Sequence, residues 1–370
     1  MNVDQREDLP ESAERTTPFS LWILLVGLVL VAIVFFGFWR DTNENRSDVH
    51  LMRGRSHFRK QDYDKAIAAY NEALRLDPKS FDAYVNRGLT YYWKGDFSRA
   101  VADFGQAIAI NTNSASAYYQ RGESRFQQGE NDAALADASR AIALKPDWAD
   151  AYYLRASIYG VKKEHDKAIA DCDKALALKP DDAMMYVIRG FSFLEQRKYD
   201  RAIADYDKSI SLRPTDAGAH YERGRAYLET EQLSRALADF DKAINFKPDY
   251  DDAYVLRGVI HSKAKEYDKA IADFDRAIAL NSSSATAFFN RAMMWRERRE
   301  YGRALADVEK GLKLKPDDAN AYYVKGAAFE GLNQTREALA AYRLSVELAG
   351  TNTSEQIEFA RKRLKDLEAK

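Results

Sequence analysis

The sequence has little of what enzymes and disulfide-linked proteins need. Its single cysteine, Cys172, excludes an internal disulfide and gives a zinc cluster no second sulfur. Its 56 lysines and arginines balance 57 acidic residues, so no net charge is available to attract nucleic acid. It also contains no phosphate-binding glycine loop, metal-ligand spacing or nucleophile elbow. We therefore expect a protein that is not an enzyme, needs no cofactor or metal and does not bind nucleic acid.

Histidines, which often serve in catalysis near neutral pH, are also few. Four of the five occupy positions that are aromatic elsewhere in the repeat described below, so we interpret them as packing residues. Cys172 also occupies a core position of that repeat and is expected to be an inert thiol. Catalysis or metal binding is the alternative interpretation for the histidines, which are His50, His57, His165, His220 and His261.

One long hydrophobic run is present near the start of the chain. From Phe19 to Trp39 it contains 21 uncharged residues, which as a helix would span about 31 Å, the thickness of a bilayer core. Trp22 and Trp39 lie where interfacial aromatic residues are expected. The run predicts a single transmembrane helix over 19–39 in contact with the lipid bilayer. It follows a tail over 1–18 that we expect to be disordered and precedes a linker over 40–46.

A cleaved signal peptide is the alternative for this run. The segment before it is acidic rather than basic, and its end offers no small-residue cleavage site, so an uncleaved anchor is favoured. The run is followed by four arginines, which slightly favours a cytoplasmic location for the rest of the chain; they are Arg40, Arg46, Arg53 and Arg55. Large domains, however, cross membranes largely regardless of charge. We therefore predict a single-pass membrane protein and leave undetermined the side on which the rest of the chain lies.

The rest of the chain repeats with a period of 34 residues. A small residue recurs at this interval nine times, and an alanine follows it twelve places later in every case. A fixed period of this length predicts stacked helical hairpins, an architecture that usually binds partners. The register residues are Gly54, Gly88, Gly122, Ala156, Gly190, Gly224, Gly258, Ala292 and Gly326. The predicted units span 47–80, 81–114, 115–148, 149–182, 183–216, 217–250, 251–284, 285–318 and 319–352.

Each unit contains two runs with helical spacing of apolar residues, separated by a short polar turn. In most units an Asp or Ser, such as Asp64 or Ser98, is predicted to cap the second helix. Prolines such as Pro78 and Pro146 are predicted to end it. The second unit resembles the tetratricopeptide repeat family, and the resemblance extends over 47–352. It rests on Tyr84, Gly88, Tyr91, Ala100, Phe104 and Ala107.

The resemblance implies an all-α fold, an α-solenoid in which hairpins form a right-handed superhelix and first helices line a concave groove. The residues after the ninth unit, over 353–370, predict an amphipathic helix that caps the exposed end of the array. Partner binding by this terminal helix is the alternative.

Seven units carry an arginine immediately before the register residue and an aspartate fifteen places after it. Because both members occur together, we hypothesise a ladder of partly buried ion pairs, within a unit or to its neighbour. Solvated charges on an outer face are the alternative. The pairs are Arg87/Asp103, Arg121/Asp137, Arg155/Asp171, Arg189/Asp205, Arg223/Asp239, Arg257/Asp273 and Arg291/Asp307.

By analogy with the family, the groove is lined by residues three and two before, and one and four after, each register residue. We expect a partner peptide or helix to bind there, although the aromatic residues could instead only pack between hairpins. The chaperone-tail carboxylate clamp of some family members is not expected, since its lysine and asparagine positions hold Val85, Leu89, Tyr119 and Glu123. The predicted binding residues are Val85, Asn86, Leu89, Tyr92, Trp93, Tyr119, Gln120, Phe126, Tyr153, Phe191 and Leu194.

The predicted function is thus a membrane-anchored scaffold or adaptor that binds a protein segment in the groove. A charged half further along the chain, including Glu222, Arg225, Arg296 and Glu330, is expected to help select the partner. A homo-oligomeric scaffold that clusters in the membrane by self-association is the alternative. An enzyme or enzyme regulator is a remote alternative.

Overall fold

The computed structural model describes residues 18–351 and 354–368, and all regular secondary structure in these residues is α-helical. The prediction of an all-α fold of helical hairpins is therefore confirmed. The helices are α1 (Pro18–Arg59), α2 (Tyr63–Leu76), α3 (Phe81–Trp93), α4 (Phe97–Ile110), α5 (Ala115–Gln127), α6 (Asn131–Leu144), α7 (Ala149–Val161), α8 (His165–Leu178), α9 (Ala183–Glu195), α10 (Tyr199–Leu212), α11 (Ala217–Glu229), α12 (Leu233–Phe246), α13 (Asp251–Lys263), α14 (Tyr267–Leu280), α15 (Ala285–Glu297), α16 (Tyr301–Leu314), α17 (Ala319–Gly331), α18 (Thr335–Ala349) and α19 (Glu355–Glu368).

The chain divides into two compact units, Met1–Leu154 and Arg155–Lys370, with the division inside α7. In the first unit, α3 packs on α4 and α5 on α6 as antiparallel hairpins, and α4 also packs on α5. In the second unit, the pairs from α9/α10 to α17/α18 repeat the same arrangement. Each hairpin buries small residues between its helices, so that every core is narrow and built from neighbouring repeats.

The predicted helix ends are correct, but the predicted caps of the second helices are wrong by two residues. α2 ends at Leu76 and α6 at Leu144, in each case two residues before a proline. Asp64, predicted as a cap, lies inside the first turn of α2. The reason is that the carbonyl of Asp62 already accepts the Ala66 N–H at 2.9 Å, so the helical ladder begins earlier. The Asp64 carboxylate instead favours the helix N-terminus electrostatically.

The turn inside each hairpin depends on one left-handed residue that also follows the 34-residue period. At Gly95, φ is 79°, and the Asp96 N–H closes the end of α3 by donating to the Tyr91 carbonyl at 2.9 Å. Gly129 adopts the same conformation in the next 34-residue repeat. In other units the same conformation is held by side-chain-bearing residues such as Lys163 and Lys265, with φ of 59° and 60°. The turn geometry is therefore fixed by hydrogen bonds more than by glycine.

Six of the seven register glycines, all but Gly122, allow a buried aromatic ring of the second helix to lie directly against the first helix. A Cβ added at Gly258 would stand 2.7 Å from Phe274, whose side chain is fully buried. Where the register residue is Ala292 instead, the facing residue is the smaller Val308, also fully buried. The two positions are thus complementary in volume, as close packing requires.

The hypothesis of a ladder of Arg and Asp ion pairs is confirmed, and each pair lies within one 34-residue repeat. In the fifth repeat the Arg189 Nε and Nη2 atoms donate to the two Asp205 carboxylate oxygens at 2.8 and 2.7 Å. Asp205 is 8% exposed and Arg189 21% exposed, so the pair is largely removed from water. The same two-point geometry recurs in the pairs Arg87/Asp103, Arg121/Asp137, Arg155/Asp171, Arg223/Asp239, Arg257/Asp273 and Arg291/Asp307.

The same arginines also connect neighbouring repeats. The third nitrogen of Arg189, Nη1, donates to Asp173 of the preceding repeat at 2.5 Å. The guanidinium also lies over the Tyr186 ring, 5.5 Å from its centroid. An arginine with such a third partner therefore fixes its own hairpin and the one before it. The third partners that the structure records are Asn71, Asp173, Asp207, Asp241 and Asp275.

The helix after the ninth unit covers the end of the array, as its sequence predicts. α19 packs on α17 and α18, and Ile357 and Ala360 are fully buried there. Leu364 and Leu367 contact the same core from its edge. The apolar stripe of this helix is therefore occupied by packing within the chain.

Helix α1 begins at Pro18 and continues through 40–46, the predicted linker, which contains no Gly or Pro to interrupt it. Among the described residues, no helix has the length and apolar character needed to cross a membrane. The predicted tail, apart from Pro18, and most side chains of the predicted span over 19–39 lie outside the described residues. Of those that are described, the apolar side chains from Val26 to Val34 are exposed.

Candidate functional site

Three tyrosines of the first unit come together on the predicted groove face. They are Tyr92 near the end of α3, Tyr119 in α5 and Tyr153 in α7, each partly buried. The Tyr119 hydroxyl is close enough to those of Tyr92 and Tyr153 to interact with them electrostatically. The Tyr92 hydroxyl interacts in the same way with that of Tyr153. We call these three residues the tyrosine patch. Because they come from three consecutive first helices, a binding surface here depends on the stacking of hairpins.

A carboxylate, Glu123 of α5, lies within the tyrosine patch. Its carboxylate and the Gln127 side chain both lie close enough to the Tyr92 hydroxyl to interact with it. Burial, reinforced by Glu123, raises the pKa of Tyr92 to about 12. Burial likewise raises the pKa of the Glu123 carboxyl, and the nearby Asp150 carboxylate adds to this effect. The patch is therefore aromatic with a negative centre.

The other predicted groove residues of the first unit differ in how much of each side chain is free to contact a partner. Trp93 is 62% exposed and its ring meets the Tyr92 ring edge-on, with centroids 6.1 Å apart. Tyr119 lies against Trp148, 4.7 Å between centroids, so one of its faces is used within the chain. Val85 packs on the core around Ala107. Asn86 donates to a carbonyl of its own helix, Leu89 and Phe126 are partly buried, and the Gln120 carbonyl accepts the Ser124 hydroxyl.

In the second unit, one predicted groove residue is misplaced. Leu194 is only 5% exposed and packs in the core with Tyr206 and Ala226, so the prediction that it lines the groove is wrong. The analogy failed because α9 is apolar at several successive positions, which allows this side chain to be covered. Phe191 is partly buried and meets the His165 ring edge-on at 6.4 Å.

The charged residues predicted further along the chain are engaged in contacts within the second unit. Arg225 pairs with Glu222 at 2.7 Å and lies 3.6 Å from Glu195. Burial raises the pKa of Glu222. Near the end of the unit, a cavity of about 640 Å³ contains Arg296, which donates to the Tyr323 hydroxyl at 2.6 Å, and Glu330, which pairs with Arg363 of α19. These charges stabilise the hairpins around them.

His220 and Cys172 pack in the core, whereas His261 lies 2.6 Å from the Glu266 carboxylate at the surface. His220 is 2% exposed and replaces a tyrosine, and its ring nitrogens face Asp239 and the Pro214 carbonyl at 3.1 and 3.0 Å. Cys172 is buried, which raises the pKa of its thiol to about 12 and leaves almost no reactive thiolate near neutral pH. Among the described residues, no group of His, Cys, Asp and Glu has a metal-binding arrangement.

Comparison with protein families identifies the repeat. Seven matched segments, which together cover more than half of the chain, are described as a TPR repeat over 54–95 and as tetratricopeptide repeats over 80–115, 115–147, 149–182, 188–261, 251–284 and 295–353. A search of curated proteins finds no match.

Two solved structures show the same fold, and a third is similar in sequence over part of this chain. A tetratricopeptide repeat protein from Parabacteroides merdae is 21% identical over 67% of this chain and 98% of its own, with a TM-score of 0.56. Cut9–Hcn1, an APC/C hetero-tetramer, is 18% identical over 76% of this chain and 54% of the matched chain, with a TM-score of 0.58. MamA is 31% identical over 46% of this chain and 93% of its own, with a TM-score of 0.43. From its repeated hairpins and these family matches, the chain belongs to the tetratricopeptide repeat family.

Proposed function

We propose that this chain is a membrane-anchored scaffold that binds a segment of a partner protein, an extended peptide or an amphipathic helix, at the tyrosine patch. The observation that carries the proposal is the convergence of Tyr92, Tyr119 and Tyr153 from three consecutive hairpins. Tyrosines supply large contact areas at low conformational cost, which is why they are common in protein interfaces. Trp93, 62% exposed beside the patch, extends this surface.

The family and the lack of other machinery support this reading. Tetratricopeptide arrays present a series of first helices as an extended recognition surface. In this chain His220 and Cys172 are buried and used in packing, which favours recognition as the role of the exposed first-helix face. Binding would therefore act by recruitment, holding a partner near the membrane.

The capture test compares two variants of the full-length protein in detergent. Changing Tyr92→Ala together with Tyr119→Ala should weaken binding of a specific partner by at least about 100-fold, since each truncated anchor at an interface centre costs about 2 kcal/mol or more. Ile110→Ala, at an exposed position outside the patch, is the matched control and should bind normally. Quantitative pulldown measures the difference, and unchanged capture by the double variant would refute the proposal. Capture of a second copy of the chain would instead favour self-association.

The anchor is proposed from the charge-free run over 19–39, whose described side chains from Val26 to Val34 are exposed and apolar. Such a surface is costly in water and stable in hydrocarbon. We expect the full chain to stay in the membrane fraction after alkaline extraction, and a variant lacking 19–39 to be released. Release of both proteins would contradict a spanning anchor and leave the binding surface unaffected.

A further inference from the structure

The carboxylate of the tyrosine patch differs from a similar carboxylate elsewhere on the chain. In the second unit, the partly buried Glu222 has its own cation, Arg225, at 2.7 Å. In the first unit, the groups that act on Glu123 are the Tyr92 hydroxyl and the Asp150 carboxylate. No lysine or arginine among the residues that the structure describes forms an ion pair with Glu123. A partly buried negative charge thus stands among tyrosines without a counter-ion of its own.

The surroundings of Glu123 suit a cation that comes from outside. The charged groups that act directly on Tyr92 and Tyr119 are the Glu123 and Asp150 carboxylates. The Lys145 ammonium lies farther out, over the Trp148 ring that packs on Tyr119. Tyrosine faces attract guanidinium and ammonium groups, and the attraction is larger where water is excluded. Within this chain, arginines already lie over Tyr84, Tyr118 and Tyr186 at 5.5 to 5.7 Å. The same chemistry is available on the tyrosine patch.

We infer that the tyrosine patch recognises a basic side chain, an arginine or lysine of the partner segment, which pairs with Glu123 and lies against Tyr92 and Tyr119. The inference rests on the proposed function and specifies the chemistry of the partner. The Arg or Lys would supply discrimination, because an acidic or neutral residue at that position would leave Glu123 unpaired beside Asp150. Apolar residues on either side would contact Leu89, Phe126 and Trp93.

The test uses a random peptide library selected on the full-length protein in detergent. Peptides bound by the wild-type protein should share an arginine or lysine at one position. Replacing that residue by neutral citrulline, or by norleucine for a lysine, should weaken binding about tenfold or more, measured by fluorescence anisotropy. With the Glu123→Gln protein, the charged and neutral peptides should bind almost equally. Gln keeps an oxygen that can accept the Tyr92 hydrogen bond, so the hairpin should stay intact.

One control and two possible outcomes decide between the inference and the proposed function. Glu72→Gln, the same change at an exposed carboxylate of the first unit that pairs with Arg75, should behave as wild type. If the selected peptides lack a shared basic residue, or if they bind the Glu123→Gln protein as tightly as the wild type, the inference is wrong while the proposed function stands. If no peptide binds, or if binding ignores Tyr92→Ala with Tyr119→Ala, both the inference and the proposed function are wrong.

Discussion

Replacing Asp205 by alanine is expected to destabilise the second unit by about 3 to 5 kcal/mol, because it leaves the partly buried Arg189 guanidinium without its main partner. Two charge-assisted hydrogen bonds, at 2.8 and 2.7 Å, would be lost together. Asp173 would remain, but it is 57% exposed and contacts only one nitrogen. Hydrogen exchange of α9 and α10, together with denaturant unfolding, measures the loss without assuming a single cooperative transition.

A matched substitution in the same helix separates burial from charge. Asp207→Ala also removes a carboxylate from an arginine, Arg223, at 2.6 Å, but Asp207 is 52% exposed. Its expected cost is below about 1 kcal/mol. In a double-mutant cycle, Arg189 and Asp205 should show a clear coupling energy. A coupling indistinguishable from zero would mean that the ladder does not contribute to stability.

Gly258→Ala should destabilise the array by about 1 to 2 kcal/mol, although alanine is the better helix former. The added Cβ would lie 2.7 Å from a carbon of the fully buried Phe274 ring, which has no free space to move into. Gly302→Ala is the control, since a Cβ there meets nothing within 4 Å. We expect this control to be neutral or slightly stabilising in thermal unfolding.

A second substitution should rescue the first. Phe274→Val alone leaves a cavity and should cost about 2 to 4 kcal/mol. Combined with Gly258→Ala, it recreates the alanine and valine pair found at Ala292 and Val308, so the double variant should be at least about 1 kcal/mol more stable than the sum of the two losses implies. Losses that simply add would show that the register residue is not chosen by the ring opposite it.

Much of the fold could be predicted because the same pattern of small, aromatic and charged residues recurs in nine repeats. Helix ends followed from prolines such as Pro78, and the Arg189/Asp205 pair followed from two positions that change together. The contact between these arginines and an aspartate of the preceding repeat was not predicted, although the sequence contains its pattern. Asp173, Asp207, Asp241 and Asp275 also recur every 34 residues, sixteen places before an arginine.

The candidate site was less predictable, since exposure depends on individual neighbours rather than on the repeat. Position in the family pattern placed Leu194 on the groove face, but packing against Tyr206 buries it. The same pattern placed Tyr92, Tyr119 and Tyr153 on successive first helices, which are α3, α5 and α7. It could not show that Glu123 lies among them with no ion pair to a described lysine or arginine, because that requires knowing which side chains of neighbouring hairpins face each other.

Site-specific photocrosslinking tests most directly whether a partner binds at the tyrosine patch. A photoreactive benzoylphenylalanine placed at Trp93, beside Tyr92, should crosslink the captured partner in full-length protein. The same group placed at Ile110, which is 41% exposed at the end of α4, a second helix and not a first helix, should not. Crosslinking at Trp93 that disappears on Tyr119→Ala is the result that the account predicts. Equal crosslinking from both positions, or crosslinking from Ile110 alone, would contradict it.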